Sequence, residues 1–308
     1  MKTKSLLFAL ALSLGSIVAW ASPAESRLLP MVPQDAQIVS GMKLTLESES
    51  RDRLSLVVHN NNLDFNDWLA LVSVDPELSG RTLIQVAATS PRGELAERLL
   101  LVDGTFGAEH IYRAALGGGA SEAEFAGVRV IIVLPFAREK GARVGVRWLA
   151  IPDDHTALFG TPLLVQQALH LRAAHAETNA VLAAHLKELR AGVDDWTIVA
   201  MPPEMFERHV GNTSYVSEVV QAMTRSDDLV MGFRYGRSKT TIDFVAHADR
   251  ILSQAMFVNE QAQLLAAGFN RDSRVHLERI TVQGRRVSGS LTIAQTKGIG
   301  TASELADR

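Results

Sequence analysis

Hydrophobic and polar positions alternate early in the chain. From Met42 to Leu46 every second residue is apolar, and Leu54-Ser55-Leu56-Val57-Val58 continues the strand-like pattern. Asn60-Asn61-Asn62, Asp64 and Asp67 then mark a loop that leads into a short helix around Trp68. Further strands are expected at 81–88 and 97–102, with Pro91-Arg92-Gly93 turning between them. Residues 107–116 place Ile111, Ala114 and Ala115 on one helical face, and Gly117-Gly118-Gly119 ends that helix. Strands follow at 128–134, 144–151 and 156–160. Thr161-Pro162 opens a long helix over 163–189, with a break foreseen near Glu177 to Asn179.

A second block starts at Asp194-Asp195-Trp196. It reads as a strand at 197–201, short helices at 204–210 and 216–224, and a hairpin of 229–235 with 240–247. A long helix over 248–269 and a second hairpin, 275–282 with 287–293, complete it. The order of elements predicts an α+β fold: antiparallel sheets with long helices packed on one face. It also suggests two related βαββα-like halves, 36–192 and 193–296. Residues 22–35, with their prolines and no periodicity, read as a flexible lead-in, and 297–308 as a disordered tail.

The first 21 residues read as a secretory signal peptide. Lys2 and Lys4 give a positive start, residues 6–18 are apolar but for Ser13, Gly15 and Ser16, and Ala19 and Ala21 place small side chains where signal peptidase requires them. The apolar run is well short of the roughly 20 residues that span a bilayer. Cleavage after Ala21 and a periplasmic or extracellular location are therefore expected, with no transmembrane segment afterwards. The composition narrows the classes. Among 308 residues, 31 Lys+Arg face 34 Asp+Glu, a formal net charge of -3 that argues against a nucleic-acid binder. There is no cysteine, hence no disulfide framework, no thiolate metal site and no thiol nucleophile. Disulfide-free exported chains of this size fit a bacterial envelope.

Several segments resemble exported bacterial proteins of the acidobacterial type. They are Leu29-Pro30 with Pro33-Gln34-Asp35-Ala36, Ile111-Tyr112-Arg113, Phe125-Ala126-Gly127-Val128, Trp148-Leu149-Ala150-Ile151-Pro152-Asp153-Asp154, Ala157-Leu158-Phe159-Gly160-Thr161-Pro162, and Trp196 to Pro203. The same punctuation is similar to bacterial domains built from repeated αββ units. The likeness covers residues 29–203 and implies an α+β fold; it carries no activity, cofactor or catalytic residue.

No catalytic motif emerges. Gly-x-Ser-x-Gly and Ser-x-x-Lys are absent, and the triple glycine lacks the Lys-Ser/Thr of a phosphate loop. His170 and His175 lie about 140° apart on a helix, so His170, His175 and His185 are not expected to share a metal. Around His59, Asn60, Asp64 and Asp67 the calcium-loop pattern fails, since Phe65 and Leu71 stand where Gly and Glu are needed. Asp153-Asp154, Asp194-Asp195 and Asp227-Asp228 suit turns and caps. No catalytic, cofactor-binding or metal residue is assigned. One basic spot is a candidate: Arg234, Arg237 and Lys239 at one hairpin, with Arg285 and Arg286 at the other, if the two tips adjoin. The expectation is an exported, non-enzymatic envelope protein that binds an envelope partner or an apolar ligand walled by the helices at 163–189 and 248–269. The alternative is a periplasmic hydrolase whose site only the fold assembles. It would join several of His59, His110, His155, His209 or His247 to an acidic residue.

Overall fold

A computed structural model of the protein describes residues 23–43, 82–88, 97–133, 145–200, 228–236, 238–247, 275–284 and 286–294. Its frame is one antiparallel sheet. The strands in chain order are β1 (Ile38–Lys43), β2 (Thr82–Ala88), β3 (Glu97–Asp103), β4 (Ser121–Phe125), β5 (Val128–Val133) and β6 (Arg147–Asp153). They continue with β7 (Thr156–Gly160), β8 (Asp195–Ala200), β9 (Asp228–Tyr235), β10 (Lys239–His247), β11 (Val275–Gln283) and β12 (Arg286–Ala294). In space they run β11-β12-β10-β9-β8-β1-β2-β3-β7-β6-β5-β4, twelve strands in a single sheet. Among the described residues four α-helices attend it: α1 (Pro23–Leu28), α2 (Ala108–Gly117), α3 (Pro162–Ala173) and α4 (Ala180–Leu186).

Successive side chains of a strand point to opposite faces, and the described residues form a core on each face. On one face Ile84, Val86, Leu99, Leu101, Leu158, Ile198, Val230 and Val245 pack with Leu28 of α1, Leu164, Val165 and Leu169 of α3, and Leu182 of α4. On the other, Leu83, Leu100, Val102, Ile131, Leu149 and Phe159 pack with Ile111, Tyr112 and Ala115 of α2. Each such side chain contributes about 1.5–3 kcal/mol through its removal from water.

This corrects the expected fold class. Among the described residues there are not several antiparallel sheets with long helices on one face, and no βαββα-like halves; there is one twelve-stranded sheet. The strands of 36–192 and 193–296 merge because β1 pairs with both β2 and β8, setting Val39 against Val86 and Ile198. The described helices are short, 6 to 12 residues, and the apolar cores place them on both faces. The helix expected over 163–189 is two. It stops where His175 adopts φ +48 and the N–H groups of His175 and Ala176 return to the carbonyls of Arg172 and Leu171. That pair of bonds is a Schellman ending. The chain restarts at Asn179, whose side chain accepts the Val181 N–H at 2.8 Å.

Within the expected lead-in 22–35, Pro23–Leu28 is helical and a 3-10 turn spans Leu29–Met31. Leu28, Leu29, Met31 and Val32 are buried in the core. α1 is latched at two points: Arg27 pairs with the buried Asp103 at the end of β3, and Glu25 accepts the Trp196 Nε1–H at 2.9 Å. The residues at 1–22, and the segments expected at 54–58, 60–72, 204–210, 216–224, 248–269 and 297–308, lie outside the described residues. No helix among the described residues is long and apolar enough to cross a membrane, which says nothing of strands.

Candidate functional site

Over β8, β9, β10 and β12, the face that carries α4 holds two charged groups beside its apolar core. The antiparallel register sets His247 opposite both Asp228 and Arg286, and Asp243 opposite Gly232 and Ser290. Directly opposed residues share a face, so Asp243 and His247, four apart on β10, point toward α4 with Val245 between them. Leu189 and Val193, after α4, occupy the space above Gly232, where a Cβ would come within 2.7 Å of Val193. The chain leaving α4 is thereby pressed onto the sheet between two charged groups.

The first group centres on Asp243, 8% exposed. Arg234 meets it at 2.7 Å and Arg190 at 3.2 Å, one guanidinium for each carboxylate oxygen. A buried carboxylate held by two guanidinium groups is neutralised within the fold and is spent structurally.

The second group joins α4 to the ends of three strands. Glu188 lies one helical turn after His185, and its N–H returns to the His185 carbonyl at 3.0 Å. The Glu188 Oε2 lies 2.9 Å from His247 Nε2 and 3.9 Å from His185 Nδ1, while Arg286 Nε stands 3.9 Å from Oε1. His185 Nε2 faces Asp228 Oδ2 at 3.6 Å, beyond hydrogen-bond distance, and is buried without a partner. The two imidazole centroids are 5.9 Å apart. His185, Glu188 and His247 each offer a ligand-type atom, all within 4.8 Å of one another.

The sequence-derived residues fall as follows. Of the proposed basic spot, Arg234 pairs with Asp243, Lys239 lies 3.8 Å from Glu278, and Arg286 belongs to the histidine group; Arg237 and Arg285 lie outside the described residues. Lys239 stands opposite Ala294 and His247 opposite Arg286, so the two turns occupy opposite ends of the β10–β12 ladder. Eight residues of strand separate them, roughly 27 Å. Of the described members, Arg234 and Lys239 lie at one end of that ladder and Arg286 at the other. Of the histidines named for a hydrolase, His59 and His209 lie outside the described residues. His110 sits in the first turn of α2, and His155 places Nδ1 3.1 Å from the Gly104 carbonyl. His247 lies 2.9 Å from Glu188, in a group that also includes a second histidine, His185. Ala19 and Ala21 are not described. Asp153 accepts the His155 N–H at 2.8 Å in the β6–β7 turn, the role expected of it, and also holds Arg172 at 3.0 Å, whereas Asp194 accepts the Tyr235 N–H of β9 at 2.7 Å and serves neither a turn nor a cap through that bond.

Sequence reasoning compared the histidines with one another and missed this group. His185-x-x-Glu188 has the spacing of neighbours on one helical turn, a signal that was present. His247 had no local signal, because only the β9–β10–β12 register brings it there.

No protein-family model matches the chain, and no curated protein matches it in sequence. Solved structures do match in shape. The chain is similar to TP0453 in crystal form I, with 10% identity, a TM-score of 0.52, and coverage of 87% of this chain and 92% of that one. Crystal form III of TP0453 matches with 10% identity, a TM-score of 0.51, and coverage of 90% and 96%. At that identity the likeness concerns the fold alone.

Proposed function

We propose that the chain is an exported, non-enzymatic envelope protein of the acidobacterial type, acting in the periplasm or outside the cell through interaction with an envelope partner. The observation that carries the reading is the closed core beneath α3. Leu164, Val165, Ala168 and Leu169, offered by sequence as the wall of an apolar groove, are at most 2% exposed and packed onto β3, β6 and β7. A helix whose apolar face is fully spent on the sheet leaves no groove there for a carried ligand, so recognition falls to the outer surface. The likeness of fold to TP0453 is compatible with this reading and adds no specificity to it. The segment Lys2 to Ala21 supports export.

The test is native mass spectrometry of the full chain expressed in a bacterial host and recovered from the periplasmic fraction with a chelator present. The expected species lacks residues 1–21 and carries no organic adduct. Retention of the chain with an intact N-terminus inside the cell overturns export. A reproducible organic mass excess that vanishes on denaturation overturns the interaction reading in favour of a carrier.

A further inference from the structure

The geometry points to a divalent metal site of the zinc class at His185, Glu188 and His247, with Asp228 as its positioning residue. Two imidazoles and one carboxylate are the donor set that suits such ions, harder cations preferring oxygen alone. In a tetrahedral site with bonds of about 2.0–2.1 Å, neighbouring ligand atoms stand roughly 3.3 Å apart. Glu188 Oε2 lies 2.9 Å from His247 Nε2 and 3.9 Å from His185 Nδ1, two separations that bracket that value, and the two imidazoles offer ligand atoms within 4.8 Å of each other. Small rotations of two side chains reach it.

The orphaned nitrogen of His185 is the second observation. His185 is 8% exposed and its Nε2 has no hydrogen-bond partner, a costly state for a buried polar atom. A metal on Nδ1 fixes the proton on Nε2, and Nε2 already faces the Asp228 carboxylate at 3.6 Å. Ligating histidines typically give their second N–H to a carboxylate in this way. A hydrogen bond between His247 and Glu188 without an ion accounts for their 2.9 Å contact and leaves His185 unexplained. The charges are also in proportion: Glu188 and Asp228 bring two negative charges to a divalent ion, and Arg286 stands 3.9 Å from the Glu188 oxygen that the ion does not use. The ligands come from the end of α4 and the end of β10, so the ion clips the helix to the sheet, with a fourth position for water. This inference rests on the cluster alone and is independent of the proposed export and interaction role.

Isothermal titration calorimetry with zinc chloride on the purified, untagged, chelator-stripped protein tests it. One zinc per chain is expected, with a raised thermal midpoint that magnesium chloride does not reproduce. Glu188→Gln and His247→Ala should each weaken binding by about ten-fold or more, and Asp228→Asn by about ten-fold through loss of its hold on His185. Cobalt(II) added to the unaltered protein gives a readout that needs no variant: the intense visible bands of four-coordinate cobalt are expected. Absence of stoichiometric zinc uptake overturns the site. So does uptake undiminished in a Glu188→Gln, His247→Ala double variant of unchanged circular dichroism, or a cobalt spectrum of the pale six-coordinate type.

Discussion

Tyr112 shows how a single residue repairs a local defect of the sheet. The register of β6 against β7 shifts between Ala150 and Asp153, and Pro152 in that stretch has no N–H to offer. The Ile151 N–H, buried beside this irregularity, donates to the Tyr112 hydroxyl at 2.7 Å. That hydroxyl lies 3.3 Å from the Arg129 carbonyl and can donate to it in turn. Arg129 covers the ring, its Cζ 4.8 Å from the centroid, and is itself held by Glu109 and Glu122. Tyr112→Phe should therefore cost about 1–3 kcal/mol, the penalty of an orphaned buried N–H. Burial also pushes the Tyr112 phenol above its usual value. The folded state thus keeps this proton where the unfolded chain has begun to release it. The contribution is complete below the ordinary tyrosine value of about 10 and is lost as pH rises through the higher folded value. Urea denaturation of both proteins at pH 8 and at about pH 10.5 checks this. The gap between them should narrow at the alkaline pH; a gap that stays constant or widens would refute the assignment.

At the scale of elements, legibility depended on whether the signal was local. The β9–β10 and β11–β12 hairpins were readable because turn residues separate two β-rich runs. Thr161-Pro162 marked the start of α3, and Gly118 caps α2 with its N–H on the carbonyls of Ala114 and Ala115. β4 escaped notice because Ser121-Glu122-Ala123-Glu124-Phe125 is too polar to read as a strand; it is an edge, where exposed Glu122 and Glu124 discourage further pairing. The break between α3 and α4 was legible at Glu177 to Asn179, but the residue that ends α3 was not. The left-handed position that ends a helix is usually glycine, and here it is the exposed His175. His175→Gly should accordingly raise stability by about 0.5–1 kcal/mol, relief of the side-chain clash being offset in part by glycine's greater freedom when unfolded. Urea midpoints of the two proteins decide it, and a lower midpoint for the glycine variant would show that the imidazole makes a contact worth more than the strain. The histidine cluster lies between these cases: its helical half was legible in His185 and Glu188, its strand half was not.

For the whole molecule, what the sequence pattern withheld was the join. Neither β1 nor β8 announces its partner, since both are short runs with ordinary strand composition. Yet their pairing turns two sets of strands into one sheet, with Ser40 and Thr197 hydroxyls 3.0 Å apart across it. Trp196 lies over Gly41, where a Cβ would approach the indole to 2.3 Å, so the small residue is what lets the ring cover the join. One core cluster then runs through Val39, Leu99 and Leu158 on one side and Trp196, Ile198 and Val230 on the other, with Leu28 of α1 in the same cluster. A core shared in this way predicts that 36–192 and 193–296 unfold together. Differential scanning calorimetry should give one transition, with the van't Hoff enthalpy close to the calorimetric one. Trp196→Ala should cost about 3–5 kcal/mol, as removal of a buried aromatic does, and should lower that single midpoint without splitting it. Two transitions in the unaltered protein would mean that each half keeps its own core. A variant that moves only one of them would place Trp196 within a single half, and the β1–β8 pairing would then be a contact between independent units instead of the seam of one sheet.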